Sequence, residues 1–301
     1  MTSLADVRVR GMVPLVELRP STSRLVADTL ARVFVASCFV LAVIPLVLVL
    51  YYVISKGAGH VTSYFLGHSM ARIAPNQPGG GAYHAIVGTV EQVGIASIIS
   101  VPLGLLVAIY ISEYGRGALR TAIRFFVDVM TGIPSIVAGL FIYAFWVLGL
   151  HRGFSGFAGA MALAVLMLPI VVRSSEEMLL LVPGELREAA FALGVPHWKT
   201  ILRVVLPTAS AGITTGVMLA VARVTGETAP LILTVFDNNF INTDAFHNPQ
   251  SALSLFVYNQ SRSAYDAGID RAWAGAFTLI CIVILLYIGA RFVTRRNALI
   301  K

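Results

Sequence analysis

The chain has 301 residues, is 57% hydrophobic and only 12% charged, and has a mean hydropathy of +0.82. That balance excludes an ordinary soluble domain and reads as an integral membrane protein. A net charge of +7 would suit nucleic acid, but the basic residues flank apolar runs and do not gather on one amphipathic face, so no nucleic-acid partner is expected.

The first 32 residues are polar and basic and lack a small-residue cleavage site, so they are expected to form an N-terminal segment and not a cleaved signal. Six apolar runs then have bilayer-spanning length, near 33–54, 85–111, 126–150, 157–173, 211–236 and 272–293, followed by a tail over 294–301. The fold class expected is all-α integral membrane with six transmembrane helices. Cys38 and Cys281 both fall inside these runs and are expected to be packing residues. The six histidines lack helical metal spacing, so no metal site is expected.

With both termini in the cytoplasm, sixteen Lys and Arg fall in inner segments and five in outer ones, with Arg223 left inside a span. The positive-inside rule therefore orients the chain. Two outer loops are long. Residues 55–84 carry "APNQPGGGAYH", whose Pro and Gly forbid regular structure. Residues 237–271 are polar, and "SALSLFVYNQ" is expected to lie as a short amphipathic helix at the outer surface.

Pro134, in the third run, and Pro230, in the fifth, are expected to kink their helices. Glu91 and Asp128 sit near span ends, where a solvated carboxylate is the default.

The inner loop 176–208 is more specific. Pro183 and Gly184 break the preceding helix, and Glu185 and Glu188 then occupy a first turn. Leu186, Ala189, Ala190 and Leu193 form an apolar stripe, and Gly194 is placed to end the helix with positive φ. A second short helix carries Trp198, Ile201, Leu202 and Val205 until Pro207 stops it. The product is a cytoplasmic helix–turn–helix elbow, which serves either as a loop packed on its own membrane domain or as a docking element.

Arg223 falls at the midpoint of the fifth run, with Glu227 about 6 Å further along the axis and on the same helical face. Gly212, Gly216 and Ala220 lie close to that face. The pair is either an ion pair locking two helices or part of a substrate path, the commoner meaning of charge at this depth. A guanidinium fork matches two phosphate oxygens. Glu227 could hold Arg223 between transport events or accept a hydrogen bond from a protonated anion. Arg173, followed by Ser174 and Ser175, is a second path candidate, its alternative being a cytoplasmic-end arginine that snorkels.

"EAAFALGVPHWKTILRVVLP" resembles the EAA loop of ATP-binding-cassette importer permeases of type I. Glu188, Ala189, Ala190, Gly194, Val204, Leu206 and Pro207 fall on its pattern, with Val204 in place of the usual Ile. "GGGAYHAIVGTV", "GIPSIVAGLF" and "ARVTGETAPL" resemble the phosphate-specific permeases, and "NPQSALSLFVYN" favours their PstA type over the PstC type.

The resemblance implies a bacterial inner-membrane subunit forming half of a phosphate pathway, with arginines matching Arg173 and Arg223 on the path. It implies a PstC-type partner permease, two ATP-binding subunits that receive the elbow, and an extracytoplasmic phosphate-binding protein, all in membrane lipid. This chain has no GxxxxGK[ST] loop, so ATP and Mg are expected to serve the partner ATPase, with no cofactor on this chain and no enzymatic role for it. Permeases for sulfate, phosphonate or molybdate remain alternatives, as does a secondary transporter or channel, which would leave the EAA spacing unexplained. Gly153-Phe154-Ser155-Gly156 matches a short intramembrane-protease motif, but no span carries a histidine to act as base.

Overall fold

Proline and glycine decide where the apolar runs become helices and where those helices stop. The computed structural model describes residues 22–299, and side chains up to 289 and at 291. Residues 1–21 and 300–301 lie outside it, as do the side chains of the tail 294–301. Among the described residues the chain is helical: α1 Thr22–Gly57, α2 Ser63–Gly67, α3 Tyr83–Ile109, α4 Gly117–Gly132, α5 Ser135–Ile142, α6 Gly156–Leu180, α7 Gly184–Ala192, α8 His197–Thr200, α9 Leu206–Thr225, α10 Ala229–Thr234, α11 Leu253–Ser261 and α12 Asp266–Leu299. Five helical stretches are long and apolar enough to cross a membrane, and a sixth exists if one sharply bent pair is a single span.

The residues divide into two units at Tyr51/Tyr52. In the first, α1 presents Leu30, Phe34, Phe39 and Leu46 as exposed side chains.

The second unit is organised on α6, whose most apolar window is 61% buried against 22–28% for the other spans of that unit. Ser155 starts α6 by accepting a hydrogen bond on Oγ from the Ala158 amide at 3.2 Å. Small residues let its neighbours close in. Gly104 of α3 sits where a Cβ would lie 2.8 Å from Val171, and Gly212 and Gly216 of α9 face Met178 and Ser174 in the same way. Val93, Leu163, Met167, Ala220, Val224 and Leu231 share the main core cluster.

The single span expected over 126–150 is two helices. Pro134 disfavours the helical region for the residue before it, Ile133 is extended, and the chain turns by 103° between α4 and the segment Ser135–Gly149. The expected span over 211–236 is also interrupted, because α9 ends at Thr225 and α10 begins only at Ala229. Pro230 of α10 lies against Gly139 of α5, where a Cβ would come within 2.5 Å of its Cα.

Pro207 does not end the helix before it. A π turn over Ile201–Val205 routes the Leu206 amide to the Ile201 carbonyl, and His197–Thr225 continues as one helical stretch. The wider turn absorbs the geometry a proline ring would otherwise disrupt.

α11 does not lie on the surface. Leu253, Leu255 and Phe256 are buried, and the Leu253 amide donates to Thr89 Oγ1 of α3 at 2.7 Å. Its apolar first half is drawn inward and its polar second half stays out.

Candidate functional site

Two stretches of α6 and α9 run antiparallel in a readable register. Position 178 faces 212 and position 174 faces 216. Carried along both helices, that register sets Arg223 level with Met167, one residue from the centre of α6. Arg223 is in the last turn of α9, where the helix dipole favours a cation. Its side chain is 64% exposed, and Nε lies 3.7 Å from Glu227 Oε1. Among the described residues that is its one polar approach, and no hydrogen bond accompanies it.

Glu227 is held by its backbone. Its amide donates to the Val224 carbonyl at 3.2 Å and its own carbonyl accepts from Ser254 Oγ at 2.9 Å. The interruption at 226–228 therefore fixes the Glu227 backbone beside a guanidinium with no other polar partner among the described residues.

Arg173 is placed differently. By the same register it lies about 9 Å nearer the elbow than Arg223. Its guanidinium bonds Asp128 of α4 and reaches Glu176 Oε2 at 3.4 Å. Glu176 is only 2% exposed, and its Oε1 accepts from Arg124 Nε at 2.6 Å. Two arginines and two carboxylates thus join α4 to α6, and Asp128, half-exposed, is paired and not simply solvated. The pairing of Arg124 with Glu176 spans 52 residues, so the adjacent acids in "SSEEMLL" are its one local signal in the sequence. Ser174 Oγ turns back on the Ile170 carbonyl at 2.8 Å, and Ser175 Oγ is buried with no partner among the described residues.

At the elbow, the Gly194 amide bonds the Phe191 carbonyl at 2.9 Å and the Val195 amide bonds that of Ala190 at 3.1 Å. This is a Schellman closure, with Gly194 at φ 71°. Glu188 and Ala189 are exposed, Ala190 is buried, and Leu206 packs beside a cluster of Leu179, Val182, Val205 and Ala209, with Pro207 next in line. Arg187 clasps the elbow to the π turn Tyr110–Tyr114 that follows α3, donating to Glu113 Oε1 at 2.8 Å and to the Val182 and Leu179 carbonyls at 2.7 and 2.9 Å. Outward, the elbow shows Leu186, Phe191, Leu193 and Trp198, of which Leu193 is 83% exposed. These are large apolar side chains left uncovered on the two short helices of the elbow.

The remaining polar groups frame these sites. Gln250 donates to Glu91 Oε2 at 2.5 Å and accepts from Gln92 at 2.9 Å, so Glu91 also has a partner. Arg271, buried, donates to the carbonyls of Pro75, Gln77 and Gly79 and to Gln260, anchoring the glycine-rich loop.

Residues 100–298 match the family described as binding-protein-dependent transport system inner membrane component. The chain is 47% identical over 290 residues to the phosphate transport system permease protein PstA 1 of Mycobacterium tuberculosis, covering 94% of each. It is 42% identical over 224 residues to the PstA permease of Xylella fastidiosa, covering 74% of this chain and 78% of that one. Among solved structures it resembles a chain of the inward-facing MetNI methionine transporter, with TM-score 0.57 and 19% identity over 72% of this chain and 94% of that one. It also resembles a chain of a bacterial alginate transporter, with TM-score 0.62 and 13% identity over 91% and 96%. At those identities the structural likeness concerns the fold alone.

Proposed function

The chain belongs to the binding-protein-dependent transport inner membrane family and to its PstA-type phosphate permeases, and on that premise we propose that it forms half of the translocation pathway of an ATP-driven phosphate importer. A homologous permease supplies the other half, two ATPase subunits bind and hydrolyse ATP with Mg, and an extracytoplasmic binding protein delivers phosphate. Both termini lie in the cytoplasm, as the charge asymmetry favours.

The observation that carries this reading is Arg223. A permanent charge at mid-depth, mostly exposed and with one loose partner at 3.7 Å, is costly unless it serves a substrate. Its fork matches phosphate oxygens, and Glu227 holds it in place when the path is empty. Arg173 is the next cation along the path.

Coupling runs through the elbow. Glu188, Ala189, Ala190 and Gly194 shape it, while Leu206 and Pro207 join it to α9. Leu186, Phe191, Leu193 and Trp198 offer the ATPase an apolar contact. Closure of the ATPase pair displaces the elbow, and the spans switch access around Arg223, with the interruptions at Pro134 and Pro230 as points of bending.

Replacing Arg223 tests the site. Arg223→Ala is expected to abolish ATP-driven phosphate uptake in proteoliposomes while the complex still purifies with its ATPase. Uptake at the parent rate would remove Arg223 from the path.

A further inference from the structure

The face of α4 beside the Arg173 network is open. Gly117, Arg120, Thr121, Arg124, Phe125 and Asp128 line a cavity of about 490 Å³ along one flank of the helix. Arg120 and Arg124 recur one turn apart, while the Thr121 hydroxyl between them turns back to donate to the Gly117 carbonyl at 3.3 Å. Arg120 Nε is buried with no hydrogen-bond partner among the described residues. Arg124 spends its contacts on Glu176, which lies behind the cavity. Asp128 stands at the rim, half-exposed, bonded to Arg173. Three guanidinium groups therefore meet two carboxylates here, leaving one positive charge in excess.

The two carboxylates are not equivalent. Glu176 is almost wholly buried and bridges Arg124 and Arg173 from within. Glu176 is itself the buried member, held by two part-exposed guanidinium groups without which its charge would be left uncompensated, so it is a permanent member. Asp128 is exposed and bonds a single arginine, so an incoming anion can take its place at little desolvation cost. An exposed carboxylate on a guanidinium fork occupies the position a phosphate oxygen would take.

We propose that this cavity is a second phosphoryl-oxyanion site, formed by Arg120 and Arg124 with Arg173 at its edge, and that Asp128 occludes it by occupying Arg173. The inference rests on the phosphate-importer reading for its free ligand. The same chemistry fits inorganic phosphate leaving the path and the phosphodiester of an anionic lipid. The lipid source is served by Phe125, Phe126 and Val129, exposed apolar side chains on the neighbouring face of α4.

The test uses the whole complex, permease pair with ATPases, carrying Arg223→Ala in every sample so that the mid-depth arginine contributes nothing. In phosphatidylcholine nanodiscs, inorganic phosphate is titrated and its 31P line width followed. Asp128→Asn is expected to tighten phosphate binding roughly tenfold, and Arg120→Ala to weaken it by a similar factor, the scale of one charge-assisted contact. Nanodiscs containing phosphatidylglycerol give the second arm: a headgroup signal that responds to these substitutions while free phosphate does not assigns the site to lipid. Asp128→Asn removes an exposed carboxylate and keeps Glu176, so the complex assembles and its readout stands alone. Unchanged signals for both variants in both arms overturn the site. Because Arg223 is absent throughout, that failure is distinct from a failure of the uptake test.

Discussion

Glu227→Gln separates a structural ion pair from a working one. The pair is 3.7 Å apart without a hydrogen bond, and Arg223 is 64% exposed. Two unit charges at that distance attract by roughly 4–5 kcal/mol at an effective dielectric of 20 but only about 1 kcal/mol in water. The exposure of Arg223 and the missing hydrogen bond put the pair at the lower end, and exposed pairs are typically worth about 0–1 kcal/mol. Glu227→Gln is therefore expected to shift the thermal midpoint of the purified complex by no more than about 4 °C. Phosphate uptake should respond much more, because Arg223 loses the carboxylate that competes with the anion for its fork. In proteoliposomes the turnover rate is expected to fall as release slows, while the phosphate concentration giving half-maximal uptake stays set by the binding protein. A large loss of thermal stability with an unaltered rate in the surviving complex would refute this reasoning and make the pair a lock between elements.

Two further substitutions probe the supports of these sites. Gly194→Ala places a Cβ on a residue at φ 71° and is expected to cost about 1 kcal/mol, read as weaker co-purification of the ATPase with a fall in thermal midpoint of no more than about 4 °C. Gly88→Ala would set a Cβ 2.0 Å from the Ser251 carbonyl oxygen. The backbone there cannot move without losing the Gln92 and Thr89 contacts, so a loss of about 1–3 kcal/mol is expected, visible as earlier thermal unfolding and faster proteolysis of residues 237–252.

The all-α membrane class was legible because apolar runs of bilayer length are unambiguous, and the elbow's family resemblance because its Glu, Gly and Pro spacing is local. Long-range pairing was not legible. Nothing adjacent to Glu176 in sequence says that Arg124, 52 residues away, will bond it. Asp128 read as a solvated carboxylate because its partner is contributed by another helix. Pro134 signalled a bend, but not its size: α4 packs on α6 through Val127 and Val172 as well as through these charges, contacts no local pattern encodes. The fate of "SALSLFVYN" turned on Thr89 and the α3 surface, which no local periodicity encodes.

The π turn at Ile201–Val205 has a mechanical consequence. Because helix continues through it, Trp198 at the elbow and Arg223 at mid-depth belong to one rod, 25 residue steps or about 37 Å apart. A hinge there would dissipate a push as local rotation, whereas an unbroken rod acts as a lever. Pivoting by about 5° at the elbow would carry the far end about 3 Å, comparable to a hydrogen-bond length. A small stroke at the cytoplasmic surface is thus enough to bring the guanidinium to an anion or take it away.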